Sequence, residues 1–428
     1  MSRKTGVGVA LLGMCALSVF LASCGSSSSR PIGLLYVVSQ AENNVSSYTI
    51  DLDTGNLSLI TEAMPTTCQT APCGVPLSIS LDPTAATAFL LNQSAISGYT
   101  INSDGSLSAP TTAASPTTGA PVPTGPMLAE TRDAAGAFMF VISPGLLPSA
   151  MDCSDSTVTD PTCPSISVFS TKPGSTTMML AATHLMNRIP TALSVITFTP
   201  PGETTAETLL FVTSNLDLTS NHNDNELSVF LVDSSGNLTE QPNSPYTTQV
   251  NPGAVVAVNT NPVGQTTGGV FVYVGSQGAV TGSVSEFQLC TQVTSGTLSC
   301  TAADVTNNLL LSEGTPASVG MNPGAMLVDP TNSFLYIACT GSNAVYGFHM
   351  IPGTGILNGL TPPSVPTGST PVALAMHPNY NNGAEFLYVS NNTGGSISGF
   401  NVQVTTGTLS SPQTVLFFPG EPSGIAGR

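Results

Sequence analysis

From residue 33 onward the chain alternates between short apolar runs and clusters of Gly, Pro, Asn, Asp, Ser and Thr. Runs such as Leu34-Leu35-Tyr36-Val37-Val38, Phe138 to Ile142, Leu209 to Thr213, Val270 to Val274, Phe334 to Ala338 and Phe386 to Val389 have the length of strands, and no helical period links them. A further strand follows each run and ends on an aromatic: Tyr48, Tyr99, Phe169, Phe230, Phe287, Phe348 and Phe400. A turn glycine comes next each time, at Gly55, Gly105, Gly174, Gly236, Gly296, Gly355 and Gly407. The chain therefore repeats seven times, and each repeat is a few strands that cannot bury their faces alone.

The phase of the repeat predicts how the array ends. Six repeats begin with a strand, at Pro76 to Leu81, Met127 to Arg132, Ala192 to Phe198, Ala254 to Thr260, Ala325 to Val328 and Ala373 to Met376, whereas the first repeat starts one strand late. The missing strand is expected at Pro422-Ser423-Gly424-Ile425-Ala426, where nothing follows to complete a repeat. A tail that supplies the first strand of the first repeat closes a ring and removes open sheet edges. The expected fold is all-β: a seven-bladed β-propeller over residues 33–428.

Two repeats carry a recognisable motif. Ala325-Met326-Leu327-Val328-Asp329-Pro330 precedes Phe334-Leu335-Tyr336-Ile337, and Ala373 to Pro378 precedes Phe386-Leu387-Tyr388-Val389-Ser390-Asn391. These segments resemble the lactonase family, the seven-bladed propellers similar to bacterial 6-phosphogluconolactonase. The resemblance implies the same fold, and lactone hydrolysis on a sugar-derived ring as the activity to test; the family also contains members of no established activity.

The N-terminus reads as an address. Arg3 and Lys4 precede the apolar stretch Val7 to Phe20, and Leu21-Ala22-Ser23-Cys24 resembles a bacterial lipoprotein cleavage site. Residues 1–23 are then a signal peptide, Cys24 the lipidated residue, and 24–32 a flexible tether rich in serine. Gly25 after the cysteine, in place of an aspartate, points to outer-membrane anchoring.

Composition narrows the partners. The 428 residues are 41% apolar and 7% charged, with net charge −17 and no tryptophan. Cleavage before Cys24 would leave 5 basic against 24 acidic residues. Nucleic acid is an unsuitable partner for such a chain, and an anionic membrane would hold it through lipid alone. What remains is a small neutral or sugar-like ligand, or an envelope protein. Three close cysteine pairs, Cys68/Cys73, Cys153/Cys163 and Cys290/Cys300, read as local disulfides of an oxidising compartment. Cys339, on an apolar strand, reads as a buried free thiol.

In propellers, turns and longer loops sort onto opposite faces, and the loop face is where chemistry is sought. His184, Arg188 and His222 fall there in the third and fourth repeats: a histidine as general base and the arginine to steady an oxyanion. The acidic run containing Asp217, Asp224 and Glu226 suits oxygen ligation, so calcium is the one cofactor weighed, without the glycine and spacing of an EF-hand loop. Glu130 and Arg132 stand where other repeats have apolar residues, which suits either a ligand-holding pair at the channel or a structural ion pair. His377 takes the place of Asp82, Asp133 and Asp329 before or near a turn, and reads as a turn residue. No Gly-x-Ser-x-Gly elbow and no nucleotide-binding glycine loop is present. A non-catalytic binding or interaction propeller therefore stands beside the lactonase reading.

Overall fold

In a computed structural model the chain is described over residues 33–65, 74–108, 126–146, 153, 162–218, 225–260, 269–278, 280–292, 300–379, 384–410, 414–418 and 420–427. Seven antiparallel sheets follow one another, and in all but the first the strands run in sequence order from inner to outer. Blade one joins the tail strand Pro422–Gly427 to Gly33–Ser39, Asn44–Ile50 and Leu57–Pro65. Blade two is Pro76–Leu81, Thr87–Asn92 and Ile96–Thr100, and blade three is Ala129–Arg132, Phe138–Ser143, Ser165–Thr171 and Met178–Leu185. Blade four is Arg188–Phe198, Glu207–Asp217, Glu226–Val232 and Leu238–Glu240, with Tyr246–Thr247 also paired to the third strand. Blade five is Pro252–Asn259, Val270–Ser276, Gly282–Leu289 and Leu310–Ser312, with Ala317–Val319 also paired to the third strand. Blades six and seven are Pro323–Val328, Phe334–Cys339, Ala344–Met350, Leu357–Pro366 and Pro371–Asn379, Ala384–Asn391, Ser396–Gln403, Thr414–Phe417. Each inner strand abuts the inner strand of the next blade, including blade seven on blade one. The ring is therefore closed, and closed by the tail: Ala426 pairs with Tyr36 and Ile425 with Val37.

The core is divided among the blade boundaries. Each of seven buried apolar clusters bridges one pair of neighbouring blades, for example Leu35, Tyr48, Phe386 and Tyr388 between blades seven and one. Alternate residues of a strand face opposite sides, so one strand contributes to the clusters on both of its blade's boundaries. This explains why second strands read as uninterrupted apolar runs: both of their faces are buried.

Four turn glycines are held from the preceding blade by tyrosines of the second strands, and not by the aromatics that end the third strands. In four second strands a tyrosine hydroxyl donates to the carbonyl of the next blade's turn glycine: Tyr36 to Gly105 (3.0 Å), Tyr273 to Gly355 (2.6 Å), Tyr336 to Gly407 (2.7 Å) and Tyr388 to Gly55 (2.8 Å). Gly355 sits at φ +70°, and a Cβ there would run into the Phe271 ring of the preceding blade. Blades two, three and four carry Phe89, Phe140 and Phe211 in the same register and lack that hydroxyl.

Several expectations change in detail. Blade two has three strands plus an isolated Ile101–Leu107 bridge among the described residues. A short helix, Ala302–Thr306, capped by Thr301 and Asp304, precedes the outer strand of blade five, where no helix was expected. Asp82, Asp133 and Asp329 do accept backbone N–H groups in the inner turns: Thr87 to Asp82 at 2.7 Å, Phe138 to Asp133 at 2.7 Å and Phe334 to Asp329 at 2.6 Å. Burial alone would raise the Asp82 carboxyl, but hydrogen bonds from Thr84, Thr87 and Gly174 outweigh it and hold it at about 2. His377 differs from them. It lies within the inner strand of blade seven opposite Phe386, buried against Gly33, and makes no turn. The strand here runs on to Asn379, whereas the corresponding strands end at Leu81, Arg132 and Val328, just before the turn aspartates. The Cys153–Cys163 and Cys290–Cys300 disulfides are formed, and Cys339 is a buried free thiol pushed up to about 12 by burial. Cys68, Cys73 and the N-terminal residues 1–32, with Cys24, lie outside the described residues.

Candidate functional site

A repeated device shapes the loop face. In six blades a proline at or near the start of the inner strand pairs with a residue at or near the end of the second strand: Pro76 with Asn92, Pro190 with Ser214, Pro252 with Ser276, Pro323 with Cys339, Pro371 with Asn391 and Pro422 with Ser39. Proline has no N–H to leave unpaired at that strand start. The next residue along the second strand then donates its N–H to the carbonyl just before the proline. Gln40 bonds Glu421 (2.9 Å), Gln93 bonds Val75 (3.0 Å), Gln277 bonds Asn251 (3.1 Å), Thr340 bonds Asn322 (2.9 Å) and Asn392 bonds Thr370 (2.9 Å). Carboxamide side chains therefore recur around the mouth of the ring.

Between blades three, four and five this mouth widens into a cleft of about 510 Å³, lined by Leu128, Thr191, Asn215, Asn251, Pro252, Gly253 and Gln277. None of these side chains ionises. The backbone at its floor is tied down. Thr191 donates to the Pro252 carbonyl at 2.6 Å, and the Asn251 N–H donates to the Asn225 side chain at 2.7 Å. Asn251 holds φ +52° immediately before Pro252, a conformation asparagine tolerates better than most residues. Asn215 is half-buried, while Asn251 and Gln277 are exposed. Together they offer N–H donors and carbonyl acceptors beside the apolar Leu128 and Pro252.

The residues expected to be catalytic sit elsewhere on this side of the ring. His184 is on the outer strand of blade three, its ring edge-on to Phe230 with centroids 5.0 Å apart. Burial lowers its basicity and the nearby Glu240 carboxylate works against that. Arg188 opens blade four and is held by two carboxylates, Glu226 at 2.7 Å from Nε and Glu240 at 3.2 Å from Nη1. Ser244 donates to the same Glu240 oxygen at 2.8 Å. Asp217 lies opposite Arg188 across the strand pair. The structure thus gathers His184, Arg188, Glu226 and Glu240 into one network at the boundary of blades three and four, with the cation already neutralised. His222 and Asp224 lie outside the described residues. Among the described residues no group of three or more His, Cys, Asp or Glu is placed to hold a metal ion. Replacing Arg188 with alanine is expected to cost about 1–3 kcal/mol, because two half-buried carboxylates lose their partner; chemical denaturation measures it, and an unchanged midpoint would mean the network is idle.

Glu130 and Arg132 face blade two. The Arg132 guanidinium stacks over Phe89, 4.4 Å from the ring centroid, and donates to Thr171 at 3.1 Å. It thereby ties the blade where Phe89 has replaced the tyrosine. Glu130 is raised to about 7 by burial, against smaller opposing effects of Ser80 and Arg132, and its Oε2 has no partner among the described residues. Reasoning from composition missed Thr191, Asn251 and Gln277. The signal was there in the repeat, since Gln40, Gln93, Gln277 and Asn392 follow their second strands in register.

The fold and this mouth define the class: a seven-bladed β-propeller with a neutral polar cleft on its loop face. The periplasmic gluconolactonase PpgL of Pseudomonas aeruginosa is similar in structure (TM-score 0.59, 14% identity, covering 92% of this chain and 99% of that one). So are two candidate 6-phosphogluconolactonases. That of Bacteroides fragilis has TM-score 0.60, 14% identity and coverage of 94% and 99%; that of Bacteroides uniformis has 0.58, 12%, and 93% and 100%. No protein-family model matches the chain and no curated protein matches it in sequence. At these identities the likeness establishes the fold.

Proposed function

We propose that the protein binds an uncharged, hydroxyl-rich small molecule of the sugar or sugar-lactone class in the cleft between blades three and five. One observation carries this: the lining of Thr191, Asn215, Asn251 and Gln277 supplies neutral donors and acceptors and no ionisable group. An anion would find no cation in that lining, and the chain's net charge of −17 would oppose its approach. A phosphorylated sugar is disfavoured for the same reason. Two disulfides, the periplasmic location named for PpgL and the lipoprotein-like N-terminus support a place outside the cytoplasm, with anchoring through Cys24. Among the described residues no helix is long and apolar enough to cross a membrane.

Hydrolysis of the bound lactone is the second reading, favoured by the His184–Glu240–Arg188 network on the same side of the ring. The two readings separate by experiment. Calorimetric titration with a neutral sugar ring should show binding that Gln277→Ala and Asn215→Ala each weaken about tenfold, the loss of roughly one good hydrogen bond. Unchanged affinity in both variants would remove the cleft from the account. Acid release from gluconolactone above the buffer rate, lost in His184→Ala, would establish hydrolysis; no release would leave binding alone.

A further inference from the structure

Blade five differs from the other blades at one buried row. Tyr273 lies opposite Glu286 in the strand register, and the Glu313 N–H donates to the Glu286 carbonyl at 2.8 Å, so Glu313 lies opposite Glu286 on the other side. Directly opposed residues share a face of the sheet. Tyr273, Glu286 and Glu313 therefore form one row facing blade six. Both carboxyls are buried, at 5% and 7% exposure. The residues opposite the second-strand aromatic in the other blades are Ser47, Gly98, Val168, Val229, Gly347 and Gly399, none of them ionisable.

The surroundings offer these carboxylates little. From blade six the Leu357 N–H reaches Glu286 Oε2 at 3.3 Å, and the Gly355 carbonyl is taken by the Tyr273 hydroxyl. Glu313 Oε1 has no hydrogen-bond partner among the described residues. The titratable groups in the row are the two glutamates and the neutral Tyr273 phenol; among the described residues no Lys, Arg or His acts on either carboxyl. Two buried like charges side by side cannot both ionise cheaply, and a proton held between them relieves the repulsion and gives the unpartnered oxygen a partner.

We propose that Glu286 and Glu313 hold one proton between them at neutral pH, and that its release to solvent loosens the seam between blades five and six. The row touches the same two blade-six residues, Gly355 and Leu357, that the seam bonds use. Burial raises Glu286 to about 7; the Leu357 N–H pulls the other way, and the Glu313 charge adds a smaller rise. A carboxyl raised in the folded state gives stability that is whole below the ordinary carboxylate range and is lost as pH rises through about 7.

Thermal unfolding of the full chain tests this with Glu286→Gln and Glu313→Gln, which keep shape and hydrogen-bonding capacity. At pH 5 each variant should melt close to the wild type. At pH 8.5 each should melt about 2–5 °C higher, because the second charge is gone. Other raised carboxyls, Glu130 and Glu385, are common to all three proteins and cancel in the comparison. A difference that is the same at both pH values would overturn the proposal. So would a rise in wild-type melting temperature on adding millimolar calcium that is absent in Glu313→Gln, since the pair would then hold a metal instead of a proton.

Discussion

Deleting residues 422–428 is expected to abolish the cooperative thermal transition of the remaining chain, or to lower its midpoint by tens of degrees. The tail forms the whole inner strand of blade one. Its removal exposes the second strand Gly33–Ser39, whose residues are all buried. Ile425 contributes about 1.5–3 kcal/mol by burial, and each lost ladder bond about 1 kcal/mol. The sum approaches the whole net stability of an ordinary domain, about 5–15 kcal/mol. The fit at this point is close: a Cβ at Gly424 would lie 2.8 Å from Ser78 Cα, and Ser423 donates to the Pro76 carbonyl at 3.0 Å. Gly424→Leu should therefore act in the same direction as the deletion, because backbone cannot move aside as a flexible side chain can. A truncated chain with the wild-type midpoint would mean that the first blade is complete without its tail.

The second large effect is expected at the turn glycines, and one turn contains its own control. Gly353 and Gly355 both have positive φ, +86° and +70°, but a Cβ at Gly353 meets nothing within 4 Å, whereas one at Gly355 collides with Phe271. Gly353→Ala pays for the backbone conformation alone, about 1 kcal/mol. Gly355→Ala adds overpacking of about 1–3 kcal/mol and disturbs the carbonyl that accepts the Tyr273 hydroxyl. A gap of at least about 1 kcal/mol between the two variants in denaturant titration is expected. Equal costs would mean that the glycine is required for its turn and not for the approach of the neighbouring blade.

These residues also indicate what could be read from the chain in advance. The aromatic, the glycine and the orphaned tail strand are local and periodic, so number, order and closure of the blades followed from them. The partners of the glycines did not, because they are tyrosines of the second strands, and the bonds run from Tyr388 to Gly55 or from Tyr36 to Gly105, between segments far apart in sequence. The cleft was missed for a related reason: Asn251 and Gln277 are ordinary loop residues until a ring places them beside Thr191 and Asn215. Arg188 was singled out because cations are scarce here, yet scarcity is equally a reason for two carboxylates to claim it. His377 shows how far analogy among repeats extends. It has the position of the turn aspartates without their acceptor chemistry, and the backbone there does something else.

The claim on which the functional reading depends is that the mouth of the ring accepts neutral rings and refuses anions. Titrating 1,5-anhydroglucitol and gluconate side by side into the wild-type protein at neutral pH tests it most directly. Saturable binding of the uncharged ring, with gluconate at least about tenfold weaker, is the predicted result. Gluconate binding as tightly as the neutral ring, or more tightly, would contradict it.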